Sequence, residues 1–326
     1  MAYPRRLTSM LLAGVALSPF PAATAPAVAS PTRFGVIAAT QGPAEPDTWQ
    51  NFVRLYEVQR ARYGAPIGIR LFSPGKLSLP GEPGMVGRLL AWAIREHPEE
   101  LITISHRERD DARLRQFLDV VDAKGLRASV IYFHEAQPEW HNPRAAPPVY
   151  RETYRAYRHI IDRHPAHSRV TLEKNLMWYW QRYNSRRADW HEYVEQDDPA
   201  DFLSWDTYTF PGVAPTQTHY STPDDFFKYA RDAWNEFGLP WAIGEIGSAV
   251  QSHSWDRDGR HFVAWVRQVT AAAANPASID ASYAGMPAAR FVKWWCALDG
   301  DDHDLGLDQK PGAVDAYRPL VKASPL

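Results

Sequence analysis

The sequence predicts a (β/α)8 barrel, in which a ring of eight parallel strands is surrounded by eight helices. Eight short apolar runs alternate along the chain with longer amphipathic segments, and no hairpin signal joins one run to the next. Strands that alternate with helices form parallel sheets, and a count of eight is typical of the barrel. A doubly wound open sheet is the alternative, but it usually has a glycine-rich first turn, which this sequence lacks.

Each predicted strand is a short apolar run rich in β-branched or aromatic residues, as expected for a strand buried on both faces. In chain order the runs are 34–38, 67–72, 101–104, 129–135, 170–172, 202–208, 241–246 and 290–298. A second apolar stretch, 177–180, follows the fifth run closely. The fourth run differs from the others because it ends abruptly on a histidine and a glutamate, His134 and Glu135.

Each predicted helix follows one of these runs and carries apolar residues at helical spacing. In chain order the helices cover 47–63, 85–97, 110–124, 147–164, 190–195, 223–237, 259–274 and 312–321. Several are bounded by residues that commonly start or stop a helix. Asp47 and Thr222 are the predicted caps, and the predicted stops are Gly64, Gly125, Pro165 and Gly238.

The first residues of the chain have the features of a secretory signal peptide. Arg5 and Arg6 precede an apolar run, 7–17, and the small residues at 27–29 fit an Ala-x-Ala cleavage site. We therefore predict that residues 1–29 are removed, that the protein is secreted, and that 30–326 form a single domain. The two arginines also fit twin-arginine export. An uncleaved anchor is the alternative, but the apolar run is shorter than the roughly 20 residues that span a membrane.

Composition and charge narrow the possible partners. A net charge of −2 gives no reason to expect nucleic acid or an anionic membrane. The lone cysteine, Cys296, excludes an internal disulfide and lies in an apolar run, where burial is favoured over reactivity. The chain has thirteen tryptophans. Many must pack in the core, but flat aromatic faces also bind the apolar faces of sugar rings.

The barrel prediction selects candidate functional residues, because active residues of this fold lie at the carboxyl ends of the strands. Those positions hold Arg70, His106, Glu135, Asn175, Trp178, Tyr208, Glu245, Trp294 and Trp295. Glu135 closes the fourth run and Glu245 closes the seventh. Two carboxyl groups across a barrel mouth can cleave a glycosidic bond, with one as proton donor and the other as nucleophile or base, depending on their separation. Glu173 competes with Glu135 only if the strand register differs.

The two glutamates resemble the acid/base and nucleophile of clan A retaining glycoside hydrolases, which follow strands four and seven of this barrel. Clan A enzymes usually have Asn before the acid/base, whereas His134-Glu135 is more similar to glycoside hydrolase family 26, a family of β-mannanases, some β-1,3-xylanases and mixed-linkage glucanases. The resemblance implies a secreted catalytic domain that cleaves β-glycosidic bonds of a polysaccharide or oligosaccharide by double displacement, without a cofactor. The loops 137–148 and 206–222 match no characterised member, so sugar and linkage stay open.

The resemblance also implies partners for the nucleophile. Arg70 lies inside an apolar run, so its guanidinium needs a buried carboxylate, and clan A places an arginine beside the nucleophile, here Glu245. An ion pair with Asp206 is the alternative. Tyr208 matches the clan tyrosine that hydrogen-bonds the nucleophile, and a core aromatic is the alternative.

The remaining predicted substrate-binding residues are His134, Asn175, Trp178, Trp294 and Trp295. His134 orients a substrate hydroxyl or satisfies a loop carbonyl. Trp294 or Trp295 matches the tryptophan that forms the floor of the subsite for the attacked sugar. Adjacent strand residues face opposite ways, so one of the two packs against helices, and Trp295 is the favoured sugar platform.

Two other functions stay open. One is a carbohydrate-binding barrel without turnover, and the other is a metal-dependent hydrolase on the same fold. The histidines that suggest a metal site are scattered and lack ligand spacing: His106, His219, His253 and His303. The acidic stretch 299–304 lacks the twelve-residue calcium loop. The sequence therefore predicts neither a metal nor a cofactor.

Overall fold

Eight parallel strands form the inner ring. They are β1 (Arg33–Ala39), β2 (Ile69–Phe72), β3 (Leu101–His106), β4 (Arg127–Tyr132), β5 (Val170–Met177), β6 (Phe202–Thr209), β7 (Trp241–Ser248) and β8 (Phe291–Ala297). The strands are hydrogen-bonded in the order β1-β8-β7-β6-β5-β4-β3-β2. The amide of Val36 donates to the carbonyl of Ile67 at 3.1 Å and brings the two ends of the sheet together. The predicted (β/α)8 barrel is confirmed.

A helix follows each strand and packs on the outside of the ring. The helices are α1 (Trp49–Tyr63), α2 (Met85–Glu96), α3 (Asp111–Lys124), α4 (Pro147–Asp162), α5 (Trp178–Asn184), α6 (Pro223–Phe237), α7 (Arg260–Ala274) and α8 (Ala313–Ala323). Gly64, Gly125 and Gly238 end their helices in the left-handed conformation, as predicted. The cap of α1 is Thr48 rather than Asp47, because the Thr48 side chain accepts from the amide of Asn51.

The helix after β5 is the largest departure from the prediction. The chain continues from β5 directly into α5 at Trp178, and the segment predicted as a helix, 190–195, contains only a short 3-10 helix, Trp190–Glu192. Trp190 and Tyr193 are buried, so this segment packs as an irregular loop on the barrel.

The computed structural model describes residues 31–39, 48–184, 188–209, 219–248, 256, 258–297, 306–309 and 312–326. The predicted signal peptide 1–29, the acidic stretch 299–304, His253 and His303 lie outside these residues. Within them, no helix has both the length and the hydropathy that crossing a membrane requires.

The floor of the barrel is closed by the last residue of the chain. Leu326 is buried against Phe202, Ala242 and Phe291. A Cβ atom on Gly35 would lie 1.9 Å from Cδ1 of Leu326 and 2.4 Å from the carbonyl oxygen of Ile67. Glycine is therefore the residue that allows β1 and Leu326 to pack at this distance.

Gly35→Ala is expected to lower the free energy of unfolding by about 1–3 kcal/mol, because the added methyl overpacks the floor against backbone that cannot move freely. Urea denaturation followed by circular dichroism measures this change. Gly75→Ala is the matched control, since its Cβ would meet no atom closer than 3.7 Å. Equal stability of the two variants would contradict the close packing at Gly35.

Candidate active site

Glu135 stands on a tight turn at the end of β4. The strand ends at Tyr132, three residues earlier than predicted, and both Phe133 and Glu135 have positive φ angles, 50° and 52°. Residues other than glycine rarely adopt this conformation, and such positions cluster at functional sites. The amide of Phe133 donates to the carbonyl of His106 at 2.7 Å, and the amide of Glu135 donates to that of Asn175 at 3.2 Å. These bonds to β3 and β5 fix the turn that presents Glu135.

The carboxyl group of Glu135 is held in its protonated form. Burial raises its pKa to about 8, the negative charge of Glu245 adds to this effect, and Arg70 and Arg107 only partly oppose it. A carboxyl group with this pKa carries its proton at neutral pH. Glu135 therefore has the protonation state of a general acid.

Glu245 lies inside the barrel on β7, where a cation and a hydroxyl donor contact its carboxylate. Its Oε1 lies 3.3 Å from Nη2 of Arg70, and its Oε2 accepts a hydrogen bond from the Tyr208 hydroxyl at 2.5 Å. A guanidinium and a hydroxyl donor both stabilise a carboxylate anion. The predicted contacts of Arg70 and Tyr208 with Glu245 are thus present. Arg70 also lies 3.9 Å from Asp206, so the alternative ion pair exists beside the predicted one.

Asp206 is a third acid of the site, although its sequence position predicted only an ion pair with Arg70. It is fully buried on β6, and its Oδ1 accepts from the side-chain amide of Asn175 at 2.7 Å. Burial raises its pKa well above the usual range, and the charges of Glu245 and Glu135 act in the same direction. Asp206 precedes Tyr208 by two residues, so strand alternation places both on the inner face and could have identified it.

Asn175, which the sequence predicts to bind substrate, lies inside the barrel in this structure. It is fully buried and donates to Asp206 and, at 3.0 Å, to the hydroxyl of Ser204. β5 continues to Met177 and so keeps Asn175 within the strand. A Cβ on Gly244 would lie 2.6 Å from both the Asn175 amide nitrogen and Asp206 Oδ1. The packing around Asp206 therefore requires glycine at that position of β7.

His134 lies at the mouth beside the acid. Its Nε2 is 3.6 Å from Oε2 of Glu135, and its ring centroid is 5.1 Å from that of Phe72. Burial, Arg70 and Arg107 lower its pKa to about 3, so the imidazole is neutral at ordinary pH. A neutral imidazole can donate one hydrogen bond to a hydroxyl or accept one from it. Phe72, the exposed last residue of β2, was missed, although an aromatic residue at a strand end was a usable signal.

The three predicted tryptophans separate into two groups. Trp178 and Trp294 are buried against the helices, and their part in substrate binding stays a prediction. The indole of Trp178 donates to the carbonyl of Asp225 at 2.6 Å, and Trp294 packs against Trp265 of α7. Trp295 follows Trp294 on β8 and faces the other way. It is 8% exposed, and its indole N–H has no hydrogen-bond partner among the described residues.

Glu173 and His106 do not compete with these residues for the site. Glu173 is fully buried within the barrel and accepts from the Ser129 hydroxyl at 2.7 Å, so it does not displace Glu135. His106 is buried, its Nδ1 contacts the Glu108 carbonyl at 3.0 Å, and its ring stacks on Tyr157. Both side chains are therefore held inside the protein by these contacts.

Three side chains at the mouth have the ligand types that a cation needs. One ligand atom each of His134, Glu135 and Asp206 lies within 4.8 Å of the other two. The raised pKa values of the two acids favour their neutral forms, and the guanidinium of Arg70 stands 3.9 Å from Asp206. A fixed positive charge at that distance opposes a bound cation. The donor set therefore suits proton transfer better than metal binding.

No protein-family model and no curated protein sequence matches the chain. Among solved structures, the barrel is similar to a ruminal family 26 endo-β-1,4-mannanase, with 10% identity and a TM-score of 0.52. That match covers 91% of this chain but only 64% of the mannanase. These neighbours show the fold. The predicted resemblance to clan A is therefore confirmed as a resemblance of fold.

Two further barrels match over most of their own length. The catalytic domain of a Bacillus sp. JAMB-750 family 26 endo-β-1,4-mannanase has 12% identity and a TM-score of 0.51, with coverage of 90% of this chain and 86% of that one. A Paenibacillus pabuli family 5 xyloglucanase has 11% identity and a TM-score of 0.52. That match covers 90% of this chain and 99% of the xyloglucanase. At such identities the site residues must be argued from their own geometry.

Proposed function

We propose that this protein is a secreted retaining glycoside hydrolase that cleaves β-glycosidic bonds in a polysaccharide. The observation that carries the proposal is the contrast between two glutamates at one barrel mouth. Glu135 is protonated because burial and the charge of Glu245 raise its pKa, whereas Glu245 is held by Arg70 and Tyr208. A protonated carboxyl group across from one that contacts a guanidinium and a hydroxyl donor suits a proton donor paired with a nucleophile.

In the first step, Glu245 attacks the anomeric carbon and Glu135 gives its proton to the leaving oxygen, so that a glycosyl ester forms as the glycosidic bond breaks. In the second step, Glu135, now ionised, takes a proton from water as the water displaces Glu245. Arg70 and Tyr208 each contact one oxygen of Glu245, hold the attacking carboxylate in place and take part in no bond change. The proton returns to Glu135 at the end of the cycle.

Two side chains are proposed to hold a sugar ring beside these two glutamates. Trp295 offers an aromatic surface and an indole donor, and neutral His134 offers a hydrogen bond to a hydroxyl. The similar barrels include an endo-β-1,4-mannanase and a xyloglucanase. These names support a β-linked polysaccharide as the substrate class. The N-terminal signal features predicted for 1–29 fit an enzyme that meets such a polymer outside the cell.

The test is a panel of polysaccharides, including mannan, xyloglucan, xylan, laminarin and mixed-linkage glucan, incubated with the purified protein. We expect hydrolysis of at least one polymer, and ¹H NMR of the first product should show the β anomer. An α product would contradict double displacement, because one direct displacement by water inverts the anomeric centre.

The same assay separates the two alternative functions. Binding of a glycan without hydrolysis would favour a carbohydrate-binding barrel. The grouping of His134, Glu135 and Asp206 is the observation that favours a metal-dependent hydrolase. Loss of activity after chelation, with recovery on adding a divalent cation, would support that function and contradict the proposed mechanism.

A further inference from the structure

Phe72 is a large aromatic side chain exposed at the mouth of the barrel. It is the last residue of β2 and is 37% exposed, whereas Ile69, Arg70 and Leu71 before it are buried. Successive side chains of a strand point to opposite faces, so Phe72 faces the inside of the barrel, as Arg70 does, and lies nearer the solvent. The function proposed above makes no use of Phe72.

Two side chains of the candidate active site contact the Phe72 ring. Cζ of Arg70 lies over the ring, 5.1 Å from its centre, and the His134 imidazole is centred 5.1 Å away at an interplanar angle of 60°. Arg70 lies 3.3 Å from Glu245, and His134 lies 3.6 Å from Glu135. Phe72 is therefore separated from each of the two glutamates by a single side chain.

The backbone holds Phe72 in a fixed position. Phe72 pairs with Ser105 in the ladder between β2 and β3, and the amide of Ser73 donates to the Ser105 carbonyl at 2.8 Å. Binding groups on strands are placed more precisely than those on loops. One exposed apolar side chain is common on a protein surface. A fixed aromatic ring beside His134 is more specific, because it joins an apolar surface to a group that hydrogen-bonds a hydroxyl.

Trp295, which is proposed above to hold a sugar ring, lies on the same side of the two glutamates as Phe72. The strands follow each other around the barrel as β7, β8, β1, β2, β3 and β4, so Trp295 on β8 and Phe72 on β2 both lie in the arc from Glu245 to Glu135. Strands two apart in this arc are separated by about 10 Å. Trp295 is 8% exposed and Phe72 is 37% exposed. A glycan chain that starts on Trp295 therefore passes Phe72 as it leaves the mouth.

We propose that Phe72 is a specificity-determining residue that holds the second sugar of the glycan, the unit joined to the attacked sugar on the side away from the leaving oxygen. Its exposed ring packs against the apolar face of that sugar. The inference rests on the proposed function, because Glu135, Glu245 and Trp295 define which sugar is attacked. The contact favours a chain of β-linked units over a single glycoside.

The first test compares aryl glycosides of one and two sugars. The substrates are 2,4-dinitrophenyl β-glycosides of cellobiose and mannobiose, measured beside those of glucose and mannose. Phe72→Ala should lower kcat/KM on the disaccharide glycosides by about 10-fold or more, because the area that the ring buries is lost. The monosaccharide glycosides should be nearly unaffected. Equal losses on both kinds of substrate, or no loss on either, would overturn the proposal.

Two further variants separate the flat ring from its packing. Phe72→Leu still covers Arg70 and His134 but has no flat face, so it should lose the preference for disaccharide glycosides, whereas Phe72→Trp should keep it. A wild-type preference in Phe72→Leu would contradict the proposal. Val58→Ala is the matched control, because Val58 is 38% exposed on α1, away from the mouth. Its preference should be unchanged, and a loss as large as that of Phe72→Ala would overturn the proposal.

Binding without turnover gives a second measurement. In the Glu245→Ala background, native gels that contain each of the five polysaccharides named above measure the retardation of the protein. At least one polymer should slow the parent and the Phe72→Trp variant, and it should slow the Phe72→Ala variant less. If the wild-type protein cleaves no glycan, the proposed function fails, while the retardation still decides whether Phe72 contacts a glycan. Equal retardation with and without the ring, or no retardation of the parent by any polymer, would overturn the proposal.

Discussion

Glu245→Ala is expected to lower kcat/KM for the glycan substrate by on the order of 10⁴-fold or more, a loss typical of removing the nucleophile of a catalytic unit. The reason is that no glycosyl ester can form once the carboxylate beside Arg70 and Tyr208 is gone. Initial rates of reducing-sugar release on the best polymer of the panel measure the loss. Thermal unfolding of the variant checks that the barrel remains intact.

Sodium azide should restore part of the activity of Glu245→Ala. The truncated side chain leaves space next to the Arg70 guanidinium, which attracts a small anion to the face that the carboxylate occupied. The product should be a glycosyl azide of inverted configuration, because one displacement replaces two. Mass spectrometry and NMR identify it.

Glu139→Ala is the control for this experiment. Glu139 is a half-exposed carboxylate just beyond the Glu135 turn, paired with Arg107. Its removal should leave turnover within a few-fold of wild type, without dependence on azide, because exposed ion pairs contribute little. Unchanged turnover in Glu245→Ala would remove Glu245 from the nucleophile position.

The sequence was sufficient to predict the barrel because its strands are buried on both faces and read as continuous apolar runs. The sequence was less informative about the residue at which a strand ends within such a run. Nothing in the run 129–135 indicates that β4 ends at Tyr132, since Phe133 and Glu135 adopt positive φ angles without being glycine. The turn is held by hydrogen bonds to His106 and Asn175, which are distant in sequence. Local pattern carries no information on such contacts.

The site was predictable where a residue's strand position alone fixes its direction. Glu245, Arg70 and Tyr208 follow from the rule that strand ends meet at one face, and they make the expected contacts. The direction of Trp178 was not predictable in this way, because the chain enters α5 at that residue and its indole turns toward α6. The contact of Lys293 on β8 was not predicted because its partner, the Thr103 hydroxyl, lies on β3 and meets the lysine only when the barrel closes.

The acid function of Glu135 predicts a wild-type profile in which kcat/KM falls as the pH rises through about 8. The sign follows from the direction of the shift: the raised pKa keeps the donor protonated below that value, and the proton is lost above it. In Glu135→Ala this alkaline limb should disappear. His134→Asn is the control, because the pKa of His134 is about 3 and its titration lies far below the limb.

Glu135→Ala should lower kcat/KM for the natural glycan by about 10²–10⁴-fold, the range in which general acid catalysis contributes. Aryl glycosides with good leaving groups should lose far less, because a phenolate of low basicity departs without a proton. Comparing the variant on 2,4-dinitrophenyl glycosides and on the polymer measures the difference. Equal losses on both substrates would show that the side chain serves binding or structure, since only proton donation depends on the basicity of the leaving oxygen.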